Sequence, residues 1–282
     1  MENINQKYKI VADSSADILK LENVEFSSAP LKIITDEKEF TDNELLDVEE
    51  MVTYLKSYKG RSSSSCPNPD EWLKAFGDAE YIFGVTISSG LSGSFTAAKV
   101  AKDIYESEHP GRRVFLIDSL SAGPEETLLV EKLEELISSG LEFDEICEKM
   151  TQYQKTTKIR FMLQSLTNFA NNGRVNGAVA RIAGILGICM VGTASAEGTL
   201  ELTNKCRGVD KSIAEIVGYL KRDGLKKGKV RIAHCFNSDG AQKLKTAIMN
   251  EFSDIDIKVH NTRGLCSFYA EIGGLLIGYE MV

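Results

Sequence analysis

A run of serines and glycines between an apolar segment and an amphipathic segment carries the residue types of an anion-binding turn. The run, Ser88–Ser94, contains four serines and two glycines and follows Val85-Thr86-Ile87. Glycine lets the backbone pass close to a ligand, and the first turn of a following helix offers unpaired N–H groups at the positive end of its dipole. Serine hydroxyls add neutral donors. Capping a helix needs only one such side chain, so we predict that this turn also binds an anion.

The chemistry at this turn has three candidate forms. A serine hydrolase would need a Gly-x-Ser-x-Gly turn, but Ser94 stands where the last glycine belongs, and His234 is the one histidine placed to act as a base. A phosphate site would use the same N–H groups, but the turn has no lysine and the chain has no phosphate-binding glycine pattern. Neutral hydroxyls and N–H groups suit a singly charged carboxylate. We favour that ligand and keep the hydrolase and the phosphate site as alternatives.

Two more polar clusters accompany the turn. Asp13-Ser14-Ser15-Ala16-Asp17 follows a short apolar strand, and Ser62–Pro69, with the composition of a loop, precedes a predicted helix that begins near Asp70. Together with Ser88–Ser94 they resemble the DegV family of bacterial fatty-acid-binding proteins. The family's Thr-Ser-Gln-Pro loop and Ser-Ser-Gly-Leu-Ser-Gly-Thr turn correspond to Ser64-Ser65-Cys66-Pro67 and Ser88–Ser94, with Cys66 in place of the glutamine.

The resemblance extends along nearly the whole chain. Val114–Ser119 looks like the family's strand ending in Asp-Ser, and Asn172-Gly173-Arg174-Val175 looks like its Gly-Gly-Arg-Ile turn. The resemblance ends at Gly273–Gly278.

The resemblance implies a non-catalytic protein that binds a long-chain fatty acid, such as palmitate or oleate, for lipid transport or for presentation to a fatty-acid kinase. The bound acid is then the ligand, and no cofactor is expected. Ser64 and Ser92 take the positions of the family's carboxylate-contacting hydroxyls. The residues expected to bind the ligand are Ser64, Ser92, Ser89, Gly93, Ser94 and Glu271.

Two of the residues carried over from the family concern the head group and a partner. Kinase-carrier members have a His-Thr-Gly-x-Gly pattern near the C-terminus, and counting back from Ile277-Gly278 puts Glu271 at the histidine position. An ionised Glu271 would repel a bound carboxylate, so we expect a raised pKa there, a side chain that points away, or a different head group. Arg207 matches a family arginine implicated in docking the kinase subunit.

The resemblance also implies that the acyl chain lies between two domains. Small and apolar residues in Phe161–Phe169 and Ala178–Met190 are candidates for its lining. They include Met162, Leu163, Ile182, Ile185, Leu186 and Met190.

The elements that position these residues form two α/β halves. In residues 1–157, apolar runs alternate with helical patterns, which predicts a three-layer α/β domain with a mostly parallel sheet. Its predicted helices are Asn43–Tyr58, Ser94–Glu108, Pro124–Ser138 and Glu142–Tyr153. Residues 158–282 predict an α+β domain with a mixed sheet and helices at Val209–Arg222 and Gly240–Glu251. The polar residues near Asp13, Ser92 and Asp118 follow the C-terminal ends of predicted strands, the edge where open parallel sheets bind ligands.

Composition narrows the function classes. The chain has 282 residues and a formal net charge of −8, which argues against nucleic-acid binding and membrane-surface binding because both need clustered basic residues. No apolar run has the length of a membrane span, so we expect a cytoplasmic protein without stable membrane insertion. The six cysteines form no Cys-x-x-Cys pair, so no metal site is expected. We expect a monomer or a weak dimer.

Overall fold

The computed structural model describes residues 7–177 and 185–281. Thirteen strands in these ranges form a four-stranded, a six-stranded and a three-stranded sheet. The strands are β1 (Tyr8–Asp13), β2 (Glu25–Ala29), β3 (Lys32–Thr35), β4 (Glu39–Thr41), β5 (Ser62–Ser65), β6 (Tyr81–Thr86), β7 (Arg113–Asp118), β8 (Thr157–Leu163), β9 (Ile188–Ala194), β10 (Leu200–Arg207), β11 (Gly228–His234), β12 (Ile255–Asn261) and β13 (Leu275–Glu280).

The helices lie between and around the sheets. The α-helices in the described ranges are α1 (Val48–Ser57), α2 (Pro69–Phe76), α3 (Ser94–Glu108), α4 (Pro124–Ser138), α5 (Phe143–Tyr153), α6 (Thr167–Asn171), α7 (Val209–Asp223), α8 (Ser238–Glu251) and α9 (Gly264–Ala270). Short 3₁₀ turns occupy Ser14–Ala16 and Gln154–Thr156. None of the helices in the described ranges is long and apolar enough to cross a membrane.

The four-stranded sheet confirms the predicted parallel sheet. Its order is β2-β1-β6-β7, and every neighbouring pair is parallel. One face packs on α2 and α3 through Trp72, Phe76 and Ala98. The other face packs on α4 and α5 through residues such as Leu133 and Ile146. The two covered faces explain why the strands are continuous apolar runs.

The six-stranded sheet confirms the predicted mixed sheet. Its order is β10-β9-β8-β13-β11-β12, in which β11 and β12 are parallel and the other pairs are antiparallel. Helices α7 and α8 pack on it through a core that includes Ile216 and Leu244. The sheet's strand β8 begins at Thr157, and a domain boundary between residues 157 and 158 stays a prediction.

The three-stranded sheet was not predicted. Its order is β4-β3-β5, and β5 is the segment Ser62–Ser65 that the composition had marked as a loop. Serine has little intrinsic preference for strands, so this segment becomes a strand because it pairs with β3, where Ser64 lies opposite Ile33.

Some helix predictions also need correction. The predicted helix Asn43–Tyr58 begins only at Val48, because Asp47 caps it by accepting the N–H of Glu50 at 2.9 Å. The short helices α6 and α9 were missed, since neither is long enough to show a helical period.

Candidate functional site

A cavity of about 300 Å³ lies between the parallel sheet and the mixed sheet. Its described walls come from β5 and the residues after it, the Ser88–Ser94 turn, the loop between β7 and α4, strands β8 to β10, β13 and helix α9. Both halves of the chain therefore build it. It lies at the carboxyl ends of β6 and β7, which is the edge where the sequence placed a ligand.

Most of the described cavity wall is apolar. Ile159, Phe161 and Leu163 project from β8, and Leu276 and Leu265 come from β13 and α9. The three β8 residues are spaced by two, because alternate side chains of a strand point to the same face. A wall of this kind holds a hydrocarbon chain without leaving polar groups unpaired.

The predicted lining is only partly correct. Leu163 lies on the wall, but Met162 points to the opposite face of β8 and is buried in the core under α7 and α8. Met190 is buried in a neighbouring apolar cluster, and Ile185 and Leu186 are exposed at the surface. Ile182 and the rest of 178–184 lie outside the described residues.

One end of the cavity is polar. The hydroxyl oxygens of Ser64 and Tyr269 lie 2.8 Å apart, and both residues line the cavity. Burial raises the pKa of the Tyr269 phenol, so the phenol keeps its proton and can donate a hydrogen bond to a ligand. The Arg174 guanidinium lies 5.6 Å from the centre of the Tyr269 ring and also lines the cavity. This end therefore combines two hydroxyls with one positive charge.

The Ser88–Ser94 turn adjoins the same end. Arg174 Nε donates to the carbonyl of Leu91 at 3.2 Å, which ties the guanidinium to the turn. A Cβ on Gly93 would lie 3.3 Å from the Cys66 sulfur, so the turn and the residues after β5 are in contact. Gly93 is also the N-cap of α3, and it offers no side chain to the N–H groups of the first helical turn. The first of these N–H groups, that of Ser94, donates to Ser92 Oγ at 3.3 Å, and no residue of α3 is on the described cavity wall, so the turn itself borders the cavity through Leu91, Ser92 and Gly93.

The structure separates the residues of this turn that we expected to act together. Ser92 and Gly93 line the cavity. Ser94 does not, because its buried hydroxyl donates to Asp13 Oδ2 at 2.6 Å and its N–H donates to Ser92 Oγ at 3.3 Å. Ser89 is exposed, and its N–H donates to Asp118. Ser94 therefore positions the turn, and Ser89 faces away from the cavity.

Glu271 does not lie where the sequence analysis put it. Its carboxylate accepts the N–H of Asn168 at 3.1 Å and so caps the short helix α6, and it is absent from the cavity wall. Burial raises its pKa. Glu271 has φ 52, a backbone conformation that favours glycine. This conformation would suit the first glycine of the His-Thr-Gly-x-Gly pattern if Gly273 were its last glycine, and Tyr269 would then stand at the histidine position.

Sequence reasoning missed Tyr269 and gave Arg174 no role in the site. Aligning the pattern on Gly273 rather than counting from Gly278 would have found Tyr269. The resemblance of Asn172-Gly173-Arg174-Val175 to the family's Gly-Gly-Arg-Ile turn was the sequence signal that could have placed Arg174 in the site.

The charge of the wall limits its chemistry. Among the described lining residues, Arg174 is the one charged side chain, and no histidine, lysine, aspartate or glutamate is present. A serine nucleophile requires an adjacent base, and the described wall offers none to Ser92. His234 lies at the end of β11, where its ring accepts the N–H of Asn237.

Residues 7–177 and 185–281 contain no group of side chains suited to hold a metal ion. Arg207 is exposed at the end of β10.

Comparison with known proteins gives consistent matches over the full chain. Residues 7–280 match the family model described as "Uncharacterised protein, DegV family". A DegV domain-containing protein of Streptococcus pneumoniae is 44% identical over 278 residues, which are 97% of this chain and 99% of that one.

Two solved structures are also similar over their full length. The S. pneumoniae Fatty Acid Kinase (Fak) B3 protein loaded with linoleic acid is 44% identical, with a TM-score of 0.95 over 98% of this chain and 99% of that one. A DegV family protein from Eubacterium eligens loaded with heptadecanoic acid is 41% identical, with a TM-score of 0.96 over 98% of this chain and 100% of that one.

Proposed function

The chain belongs to the DegV family, and from that premise we propose that it binds one long-chain fatty acid in the cavity between its two sheets. The carboxylate lies at the polar end beside Ser64, Ser92 and Tyr269, and the acyl chain lies along the apolar wall. The single observation that carries this proposal is the cavity itself, whose described wall is apolar except at one end that holds hydroxyls and Arg174.

The acyl chain and the carboxylate contribute differently to the free energy of binding. Each buried methylene contributes about 0.8 kcal/mol, whereas a hydrogen bond contributes about 1 kcal/mol net. A chain of a dozen methylenes therefore supplies most of the affinity. The polar end supplies orientation, because the charge of Arg174 and the hydroxyls beside it favour an anion there.

The same wall argues against the two alternatives. A hydrolase needs a base beside its serine, and the described wall has none. A phosphate ligand carries about two charges and no tail, so it would leave the apolar wall in contact with water and meet only one arginine.

The biological role that fits this proposal is storage or presentation of the fatty acid by a non-catalytic carrier. The similar Fak B3 protein is named as a fatty-acid kinase protein, which supports a kinase as the partner of this chain. Exposed Arg207 is then the proposed docking residue. We further propose a cytoplasmic monomer or weak dimer with two domains that meet between residues 157 and 158.

A comparison of ligands tests the proposed function. Palmitate should bind about fifteenfold more tightly than myristate, because two more methylenes are buried at about 0.8 kcal/mol each. Methyl palmitate, which has the same chain and no charge, should bind more weakly than palmitate. Isothermal calorimetry on delipidated protein measures both differences. Equal affinities for all three ligands would contradict the proposal.

A further inference from the structure

A cluster of buried carboxyl groups joins helix α9 to the N-terminal half of the chain. Helix α9 forms part of the cavity wall, since Leu265, Cys266, Tyr269 and Ala270 all line it. Asp42, at the end of β4, accepts the N–H groups of Gly264 and Leu265 at 2.9 and 2.8 Å.

Two further contacts tie α9 to the segment after β1. Asp17 accepts the N–H of Arg263 at 2.8 Å. The Cys266 thiol donates to the carbonyl of Ser15 at 3.3 Å. Side chains far away in sequence thus hold the first turn of α9 in place.

Counting protons shows that one carboxyl group of this cluster is neutral. The Ser15 hydroxyl has one proton, but its oxygen lies within hydrogen-bond distance of carboxyl oxygens of both Asp13 and Glu126. Asp13 already accepts from the backbone N–H groups of Ser15 and Ile87 and from the hydroxyl of Ser94. Asp13 is therefore the acceptor of the Ser15 proton, and Glu126 must carry a proton of its own to bond Ser15.

The surroundings of Asp17 and Glu126 favour the protonated forms. Asp17 faces Asp42 from β4 and Arg263 and Cys266 from α9. Glu126, on α4, faces Asp13, Asp17 and Cys266. Arg263 is the one basic group among these neighbours, and its Nε lies 3.7 Å from Asp42 Oδ1. Burial raises the pKa of Asp17 to about 8, and burial together with the charge of Asp13 raises the pKa of Glu126 well above its usual range.

We propose that this carboxyl cluster is a proton-dependent latch, which holds α9 closed over the bound ligand when Asp17 and Glu126 are protonated and releases it as they ionise. The latch is a regulation of the cavity and rests on the proposed fatty-acid binding. Opening lets water reach the carboxyl groups, so in the open state they titrate near the ordinary value of about 4.

The direction of the pH effect follows from proton linkage. The closed state holds more protons than the open state between the ordinary pKa of an aspartate, about 3.8, and the raised pKa of Asp17, about 8. Closure therefore weakens as pH rises through this window, by about tenfold in the opening equilibrium per pH unit for each proton released. Above about pH 8 Asp17 adds no further dependence, because it is then ionised in both states.

Hydrogen exchange of α9 tests the latch without any requirement for ligand transfer. In the protein as purified, protection of the amides in 264–270, corrected for the intrinsic exchange rate at each pH, should fall by up to about a hundredfold per pH unit between about pH 5 and 8, a factor of about ten for each proton that Asp17 and Glu126 release. The combined variant Asp17→Asn and Glu126→Gln should show protection that changes much less with pH, and burial, which also raises the pKa values of Asp13 and Asp42, accounts for the dependence that remains. Asparagine tolerates the positive φ of 57 at position 17, and glutamine can donate to Ser15 as the protonated acid does.

Glu125→Gln is the matched control. Glu125 is the neighbouring residue on α4, it is also buried with a pKa raised to about 7, and it accepts a hydrogen bond from Thr157 on β8 rather than facing α9. This variant should keep the parent's pH dependence. A flat profile in the parent, or a profile that Glu125→Gln removes and the combined variant keeps, would overturn the latch.

Ligand release separates the latch from the proposed function. Transfer of cis-parinaric acid from the loaded protein to lipid vesicles should quicken with pH over the same window in the parent, and much less in the combined variant. Bound parinaric acid with pH-independent exchange of α9 would remove the latch and leave fatty-acid binding standing. If the α9 amides exchange with a pH dependence in a protein that takes up no parinaric acid, the proposed function is removed and the latch is left as a property of the fold.

Discussion

Replacing Ser92 with alanine is expected to weaken fatty-acid binding by about 1–3 kcal/mol, which is about a fivefold to 150-fold rise in Kd. Ser92 is half-buried and lines the polar end of the cavity, and its loss leaves a carboxylate oxygen without a donor there. Ser64→Ala should cost less, because the Tyr269 hydroxyl, 2.8 Å from Ser64, remains to donate. Titration with oleate measures both effects.

Ser89→Ala is the matched control for Ser92. It lies in the same turn, but it is exposed and absent from the cavity wall, so its replacement should leave the affinity unchanged. If Ser64→Ala and Ser92→Ala both bind oleate as the parent does, the carboxylate lies elsewhere.

Arg231→Met is expected to lower the free energy of unfolding by about 3–5 kcal/mol. Its guanidinium on β11 is 1% exposed and bonds Glu131 on α4 and Asp256 on β12, each at 2.7 Å. Removing the arginine leaves the partly buried Glu131 carboxylate without its closest partner. The lower end of the range is favoured, because Lys258 still lies 3.1 Å from Glu131. Urea unfolding followed by circular dichroism measures the change.

Arg222→Met gives the comparison for an exposed ion pair. Arg222 and Glu215 lie on the surface of α7 at 3.1 Å, with side chains 58% and 32% exposed, so the loss should be at most about 1 kcal/mol. Equal losses for Arg231→Met and Arg222→Met would show that the buried network stabilises the fold no more than an exposed ion pair does.

Local sequence signals predicted the elements that periodicity and capping determine. The bounds of α3 and α4 came out as Ser94–Glu108 and Pro124–Ser138, because an apolar period and helix-start residues mark both. Strand β5 could not be found this way. Its four serines form a strand only through pairing with β3, about thirty residues earlier.

Site residues that lie within one turn could be predicted from the sequence. Site residues that depend on contacts between distant parts of the chain could not. Ser92 lines the cavity as the Ser/Gly turn indicated. Ser94, expected to bind the ligand, is absent from the described wall; its N–H donates to Ser92 Oγ, and its hydroxyl donates to Asp13, 81 residues away. Tyr269 was missed because its partner Ser64 is 205 residues away, and no local pattern reports that contact.

The most direct test of the central claim is native mass spectrometry of the protein purified from a bacterial host, with gas chromatography of the extracted lipid. We expect a mass increment of one long-chain fatty acid on nearly every molecule, lost on denaturation and recovered as the free acid. Delipidated protein should regain the increment when palmitate or oleate is added. A protein that is empty as purified and stays empty with both acids would contradict the account.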